Sequence, residues 1–251
     1  MRIISLVNQK GGVGKTTSAV NIAAMLGKKN KKTLLIDLDP QANATSGLGL
    51  YENNFTHSVY EAMLGNIDPN HAVYPTAVSN LSIMPSTKDL AGAEIELVSE
   101  FNRERFLKTM IDKIKDNFEI IIIDCPPSLG LLTINALTAS NEVIIPVQCE
   151  YFALEGLARL MQTIDTVKNA LNPELSIKGI LMTMYDSRLG LSRQVEKEAR
   201  EHLGPLVFET VIPRNVKLSE APSFGEPIIS YDKKSKGAKA YKNLIKEIIN
   251  V

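Results

Sequence analysis

The stretch Asn8-Gln9-Lys10-Gly11-Gly12-Val13-Gly14-Lys15-Thr16-Thr17 decides how the rest of the 251-residue chain is read. It lies between a short apolar run, Ile3 to Val7, and a helical run from Lys15 to about Gly27. That placement is the one a phosphate-binding loop requires. Glycines let consecutive backbone N–H groups turn inward without Cβ clashes, and the following helix adds its positive N-terminal end. In such a loop Lys15 reaches the β- and γ-phosphates and the Thr16 hydroxyl binds Mg²⁺. Gly11, Gly12, Val13, Gly14 and Thr17 complete the cradle. The usual GxxxxGK[ST] spacing has Gln9 in place of its first glycine, and it gains a second lysine, Lys10.

Outward from the loop, strand and helix patterns alternate. Thr33–Asp37 reads as a strand and Gln41–Asn54 as a Gly- and Asn-rich loop. Ser58 and Glu61 form a capping box, and Ser86 with Asp89 a weaker one. Leu81–Met84 reads as a strand, Leu90 to Leu97 as helix, and Arg103–Asn117 as a longer helix with Phe106, Met110, Ile111 and Ile114 on one face. Glu119–Asp124 (EIIIID), Val143–Val147, Ser176–Met182 and Val207–Val211 read as strands. Leu154–Ala170, Ser192–Leu203 (with Ser192 as cap) and Tyr241–Ile249 read as helices. The order predicts one α/β domain over residues 1–251, doubly wound around a mainly parallel sheet.

Composition narrows the classes. Apolar residues are 44% and charged residues 22%, which excludes a disordered chain. The 28 basic and 28 acidic residues cancel, so any binding to nucleic acid or anionic lipid needs a local patch. Cys125 and Cys149 lack CxxC spacing, which argues against a zinc ribbon and for a reducing compartment. The first residues are too short for a signal peptide, and no apolar run reaches the length of a membrane span. His57, His71 and His202 have no metal spacing and read as surface or packing residues. The lysines 28, 29, 31 and 32 read as a solvated helix end.

Three aspartates fall where ligands bind in open α/β sheets. Asp37 ends a strand, Asp39 follows two residues on before Pro40, and Asp124 closes the apolar EIIIID run in the Walker B manner, placed to bind Mg²⁺ through water. Pro126 and Pro127 then stiffen the chain, as suits a segment that senses γ-phosphate. Asp39 reads as a residue that positions water rather than a strong base.

KGGVGKT is similar to the deviant Walker A motif of the ParA/MinD superfamily of phosphate-loop ATPases. NQKGGVGKTT followed by LLIDLDPQANATSGLG resembles its ParA/Soj branch, the chromosome and plasmid partition ATPases, and the likeness runs from Met1 to Val251. The resemblance implies ATP and Mg²⁺ as cofactors, with Lys10 acting across a homodimer that sandwiches two nucleotides. It assigns hydrolysis to Asp39, has Asp37 support it through Mg²⁺-linked water or phosphate-loop contacts, places Pro213 and Asn215 against adenine, and makes the chain after Asp124 a switch. Arg188 and Lys217 then carry nonspecific DNA binding, with tail lysines such as Lys242 and Lys246 as weaker candidates. A ParB-type centromere-binding protein is the implied partner. The implied location is cytoplasmic and nucleoid-associated, with no stable membrane association.

Rival readings attach to particular residues. Leu244, Ile245, Ile248 and Ile249 form a short apolar stripe that a MinD-like membrane-cycling ATPase would use as an amphipathic anchor. Cys125 and Cys149 pooled across a dimer could hold an iron–sulfur cluster. An operator-reading role is disfavoured, because the first motif begins at residue 8 and leaves no room for an extra N-terminal domain. Asn21 is either a polar support for the site or a surface amide.

Overall fold

Strand register brings the aspartates together. In the computed structural model, which describes residues 1–150 and 153–249, seven strands form one sheet. They are β1 (Arg2–Leu6), β2 (Thr33–Asp37), β3 (Tyr74–Pro75), β4 (Leu81–Met84), β5 (Ile120–Asp124), β6 (Glu142–Gln148) and β7 (Ser176–Thr183). Their order is β3-β4-β2-β5-β1-β6-β7, and only the β3–β4 pair is antiparallel. Asp124 pairs in register with Asp37 on one side and with Leu6 on the other. Two carboxylates therefore end side by side, next to the loop that leaves β1. The chain departs from β1 toward β2 in one direction and builds β6 and β7 in the other, so this is the crevice where the winding reverses.

Both sheet faces are covered, which is why the strands read as unbroken apolar runs. Alternate residues serve opposite layers: Ile121 and Ile123 face one core, Ile120 and Ile122 the other. The second core is closed by α1 (Lys15–Lys28), α2 (Asn43–Gly47) and the C-terminal helices. The first is closed by α3 (Val59–Leu64), α4 (Leu90–Glu96), α5 (Phe106–Asp112), α6 (Leu131–Ala139), α7 (Ala153–Ala170) and α8 (Gly190–Leu203). Then come α9 (Val216–Glu220), α10 (Ile228–Tyr231) and α11 (Lys236–Ile249).

Several expectations need correction. The segment 41–54 contains α2, held by Thr45, whose N–H and hydroxyl both donate to Asp37. The helix expected over 103–117 shrinks to α5 with single 3-10 turns on either side. Helix α6 was not anticipated. Residues 207–211 run beside β7 without becoming a strand, making an isolated bridge from Val207 to Ile180, with a second bridge from Pro213 to Tyr185 just beyond both segments. The Glu247 carboxylate takes the N–H groups of Glu209 and Thr210, and the Phe208 ring lies over Gly179. The Ser58–Glu61 capping box forms. Asp89 makes no cap hydrogen bond, and Ser192 lies inside a helix that starts at Gly190.

Helix α11 begins five residues earlier than expected and buries Leu244, Ile245 and Ile248. The Tyr241 hydroxyl shares a 2.9 Å hydrogen bond with Ser18, and Arg2 donates to the Ile248 carbonyl at 3.0 Å. Its apolar stripe is thus spent on the core, against the membrane-anchor reading. Among the described residues no helix is long and apolar enough to cross a membrane.

Two glycines lock the α2 loop to the C-terminal layer. Gly49 and Gly225 have φ of 79° and 65°, and a Cβ on Gly225 would lie 2.7 Å from the Gly49 Cα. Gly225→Ala combines left-handed strain with a backbone clash, and is expected to cost about 2–4 kcal/mol. Gly65→Ala, at φ 80° in open space, carries only the strain and costs about 1–2 kcal/mol. Urea denaturation of the two variants checks the ranking, which equal losses would contradict.

Candidate functional site

Every polar group at the carboxyl edge is positioned by backbone geometry. Gly12 and Gly14 adopt φ of 73° and 85°, which turns the loop back toward α1. Gly14 caps α1 with its backbone alone and no side-chain bond, so the first-turn N–H groups face the cleft. Thr183, at the end of β7, donates its hydroxyl to the Val13 carbonyl at 2.8 Å and fixes the loop from the opposite side. Lys15 is 6% exposed, and its Nζ donates to the Lys10 carbonyl at 3.0 Å. Burial lowers its pKa, opposed by Asp124, Cys125 and Asp39.

The carboxylates outnumber this single buried ammonium. Asp37 is buried and accepts from Thr45 N (2.8 Å), Thr45 Oγ1 (2.7 Å) and Asp39 N (3.2 Å). Burial raises its pKa, and these hydrogen bonds pull it back. Asp124 is also fully buried, yet neither of its oxygens has a hydrogen-bond partner. Burial raises its pKa well above the ordinary range and the Asp37 charge adds to that; Thr16 and Lys15 act in the opposite sense. Asp39 is 7% exposed; its Oδ1 accepts the Gln41 N–H at 2.9 Å.

Lys15, Thr16 and Asp39 line a cleft of about 450 Å³ between the glycine loop, the start of α2, Pro127 and Pro222, while Asp37 and Asp124 stay buried behind its wall. A second hollow of about 280 Å³ adjoins it, lined by Pro213, Asn215, Met184 and Tyr241 among others. Gly14, Thr17, Met184, Leu218 and Pro222 line both, so the two are one continuous groove. Asn215 Oδ1 is buried there without a partner. Met184 holds φ of 50°, a strained position for a side chain, where the two hollows meet. The groove therefore joins a larger end at the glycine loop to a smaller end with one free amide acceptor.

The orphaned Asp124 oxygens test whether a divalent cation fits. No group of three or more His, Cys, Asp or Glu among the described residues could hold a metal by itself. Mg²⁺ takes one or two carboxylates and completes its shell with water and substrate phosphates. Asp124 beside the Thr16 side chain matches that donor set. The thiols do not suit a cluster shared between two copies: Cys125 and Cys149 are both packed into the core, 0% and 6% exposed, rather than at a surface.

Lys10 stands apart from this cleft. Its ammonium is about half exposed and pairs with Glu150. Asn21, by contrast, is buried and structural, accepting from Ile228 N at 2.7 Å and donating to the Thr17 carbonyl. Arg188 is 86% exposed in its side chain and forms a two-point pair with Asp186. Lys217 pairs with Glu220 at 2.8 Å and lies over the Tyr231 ring. The two neighbourhoods touch, because Arg214 N donates to the Tyr185 carbonyl. Lys242 and Lys246 are exposed on the outer face of α11, with Lys239 on the same side. Thr45, Thr183 and Glu150 were missed by motif reading; nothing local marks them.

A glycine loop at the end of β1, a buried lysine, and aspartates closing the neighbouring strands define a phosphate-loop nucleoside triphosphatase. Residues 1–177 match the family described as AAA domain. The chain is 53% identical over 248 residues to the chromosome partitioning protein ParA of Myxococcus xanthus, covering 99% of this chain and 88% of that one. It is equally identical, over 98% of both chains, to the sporulation initiation inhibitor protein Soj of Bacillus subtilis. The crystal structure of cobyrinic acid a,c-diamide synthase from Mycobacterium smegmatis, with bound ADP and magnesium, matches at a TM-score of 0.86 and 39% identity over 98% of this chain and 93% of that one. The chain belongs to the ParA/Soj family of partitioning ATPases.

Asp124→Asn separates charge relief from ligand binding. Removing one of two adjacent buried carboxylates is expected to leave the free protein as stable or up to about 1 kcal/mol more stable. The added stability from Mg²⁺ and ATP, which scales with ligand affinity, shrinks in the same variant. Thermal melts with and without ligand check this; an undiminished ligand shift would remove Asp124 from the site.

Proposed function

We propose that this chain is a Mg²⁺-dependent ATPase that works as a two-state switch in DNA segregation, dimeric and DNA-bound with ATP, and released after hydrolysis. The observation that carries this is the division of labour between two lysines five residues apart. Lys15 is buried and serves its own cleft. Lys10 is exposed and bonded to Glu150, outside that cleft, so it is free to serve a nucleotide held by another subunit.

In this reading Lys15 and the backbone N–H groups of residues 11–17 hold the phosphates. Pro213 supports the base and Asn215 offers it the unpaired acceptor. Thr16 and Asp124 hold Mg²⁺, with Asp37 behind them steadying Asp39 through its N–H. Bound there, Mg²⁺ supplies neutralisation of phosphate charge. Asp39 has one oxygen committed to Gln41 and orients the attacking water with the other. Its contribution is positional, and loss of such positioning costs on the order of 10²-fold in rate.

Closure of two subunits places Lys10 on the partner subunit's nucleotide and doubles each exposed basic patch. Arg188 and Lys217 are held by ion pairs at the surface, with Lys217 also over the Tyr231 ring; such exposed pairs are weak, so DNA phosphates compete effectively with Asp186 and Glu220. Lys242 and Lys246 extend the surface. Each phosphate neutralised releases counterions regardless of sequence, and a dimer makes twice the contacts of a neutral monomer. A ParB-type centromere-binding protein is the partner that accelerates hydrolysis, and the site of action is the nucleoid in the cytoplasm.

Sizing the protein with ATP, ADP and no nucleotide tests the reading. Asp39→Ala is expected to accumulate an ATP-dependent dimer, to hydrolyse roughly 10²-fold more slowly, and to bind duplex DNA with strong salt dependence. Lys10→Ala is expected to bind ATP yet stay monomeric. Equal DNA binding with ATP and ADP would exclude the switch.

A further inference from the structure

Gly130 is a glycine for want of room. Its φ of −73° and ψ of −173° suit any residue, so no turn demands it. What a side chain there would meet is Glu94: a Cβ on Gly130 would lie 2.1 Å from Glu94 Oε1 and 3.2 Å from its carboxyl carbon. Gly130 is the N-cap of α6 and brings no side-chain oxygen to the free N–H groups of the first turn. A carboxylate from α4 occupies the volume from which such an oxygen ordinarily comes. Yet Glu94 Oε1 is buried with no hydrogen-bond partner. A buried acceptor without a donor is costly, so the contact as it stands is unfavourable at this atom.

Donors stand close by. Ser128 Oγ lies 3.5 Å from the same Cβ position, and Ser128 is exposed. Among the described residues, the Gly130 N–H makes no backbone hydrogen bond. A small shift of either group toward Glu94 satisfies both sides.

The two sides of the contact are anchored differently. Glu94 stands on α4, which Leu90, Ala93 and Leu97 pin to the core, each 0% exposed. Facing it is the chain that leaves Asp124. Pro126 and Pro127 restrict its backbone, and Thr133 Oγ1 donates to the Ser128 carbonyl at 2.6 Å, which ties it to α6. Pro127 lines the nucleotide cleft, with its Cβ 3.9 Å from where a Gly11 Cβ would be. One stiff arm therefore runs from the phosphate loop to a fixed carboxylate with an unused acceptor. Glu94 is not among the residues lining the cleft, so it acts through this arm rather than on the nucleotide.

We propose that Glu94 is a positioning residue for ATP hydrolysis: with ATP bound it accepts hydrogen bonds from the Ser128–Gly130 segment, and so holds Pro127 and the chain after Asp124 against the phosphate loop. This rests on the ATPase reading above. The test follows backbone amide exchange over residues 128–133 of the full chain, with and without Mg²⁺ and a nonhydrolysable ATP analogue, beside steady-state hydrolysis and thermal melts. In the parent, the analogue is expected to slow this exchange at least about tenfold. Glu94→Ala abolishes the slowing and lowers kcat on the order of tenfold, while KM for ATP stays at the parent value. Its melting temperature without ligand stays at or above the parent's, because an unsatisfied buried acceptor has been removed. Glu94→Gln, which still presents an amide oxygen to Gly130, restores both the slowing and kcat. Parent-like slowing and kcat in Glu94→Ala overturn the proposal and leave the ATPase reading intact. A Glu94→Ala chain that melts early without ligand, with no rescue by glutamine, makes the residue structural and also overturns it. If the parent neither binds the analogue nor hydrolyses ATP, the ATPase reading falls, and this inference with it.

Discussion

One buried ammonium faces three nearly buried carboxylates, and most of the molecule is arranged around that imbalance. Sheet register forces Asp37 and Asp124 together, and Asp39 follows two residues later. Carboxylates without water or countercharge are costly. Hydrogen bonds from Thr45 relieve Asp37, whereas Asp124 has only the pull of Thr16 and Lys15 against its burial and the neighbouring charge. The apo site therefore sits above its own minimum, and a ligand that brings a cation recovers the difference. Binding and stability are linked in this way whenever only the folded chain holds the ligand.

The same site is braced from elements far apart in sequence. Thr183 from β7 grips the glycine loop, Asn21 from α1 ties it to α10, and the Gly49–Gly225 approach joins the loop after α2 to the C-terminal layer. The glycine loop, the loop after α2 and the C-terminal layer thus share supports. A change at the γ-phosphate end can be felt at Pro127 and Gly130, and hence at α4, because these segments touch rather than being connected only by chain.

How far the sequence discloses this follows from which information is local. The phosphate loop, the EIIIID strand and the Ser58–Glu61 box depend on neighbouring residues, and they stand where the pattern put them. Helix α6 was invisible because LLTINALTA is buried almost all round and shows no amphipathic period. Helix α2 lies in a segment rich in Gly and Asn, whose own preferences favour turns; it exists because Asp37, far along the sheet edge, collects Thr45. The expected strand at 207–211 lost its donors to Glu247, a residue nearly 40 positions away. Among site residues the loop and the aspartates converge, while Thr183, Thr45 and Glu150 carry no signature that motif reading could use.

The surface charges fit the proposal that DNA is bound in only one nucleotide state. Arg188 and Lys217 are each satisfied by a neighbouring carboxylate, and Lys10 by Glu150, so the lone subunit presents little uncompensated charge at these points. The account turns on where Lys10 goes when ATP arrives. A high-resolution structure of the ATP-bound Asp39→Ala protein measures this directly. The prediction is that each Lys10 Nζ has left Glu150 and lies within hydrogen-bond distance of the phosphates in the facing subunit. An ATP-bound assembly in which Lys10 still rests on its own Glu150, with both nucleotides remote from the subunit boundary, would contradict it.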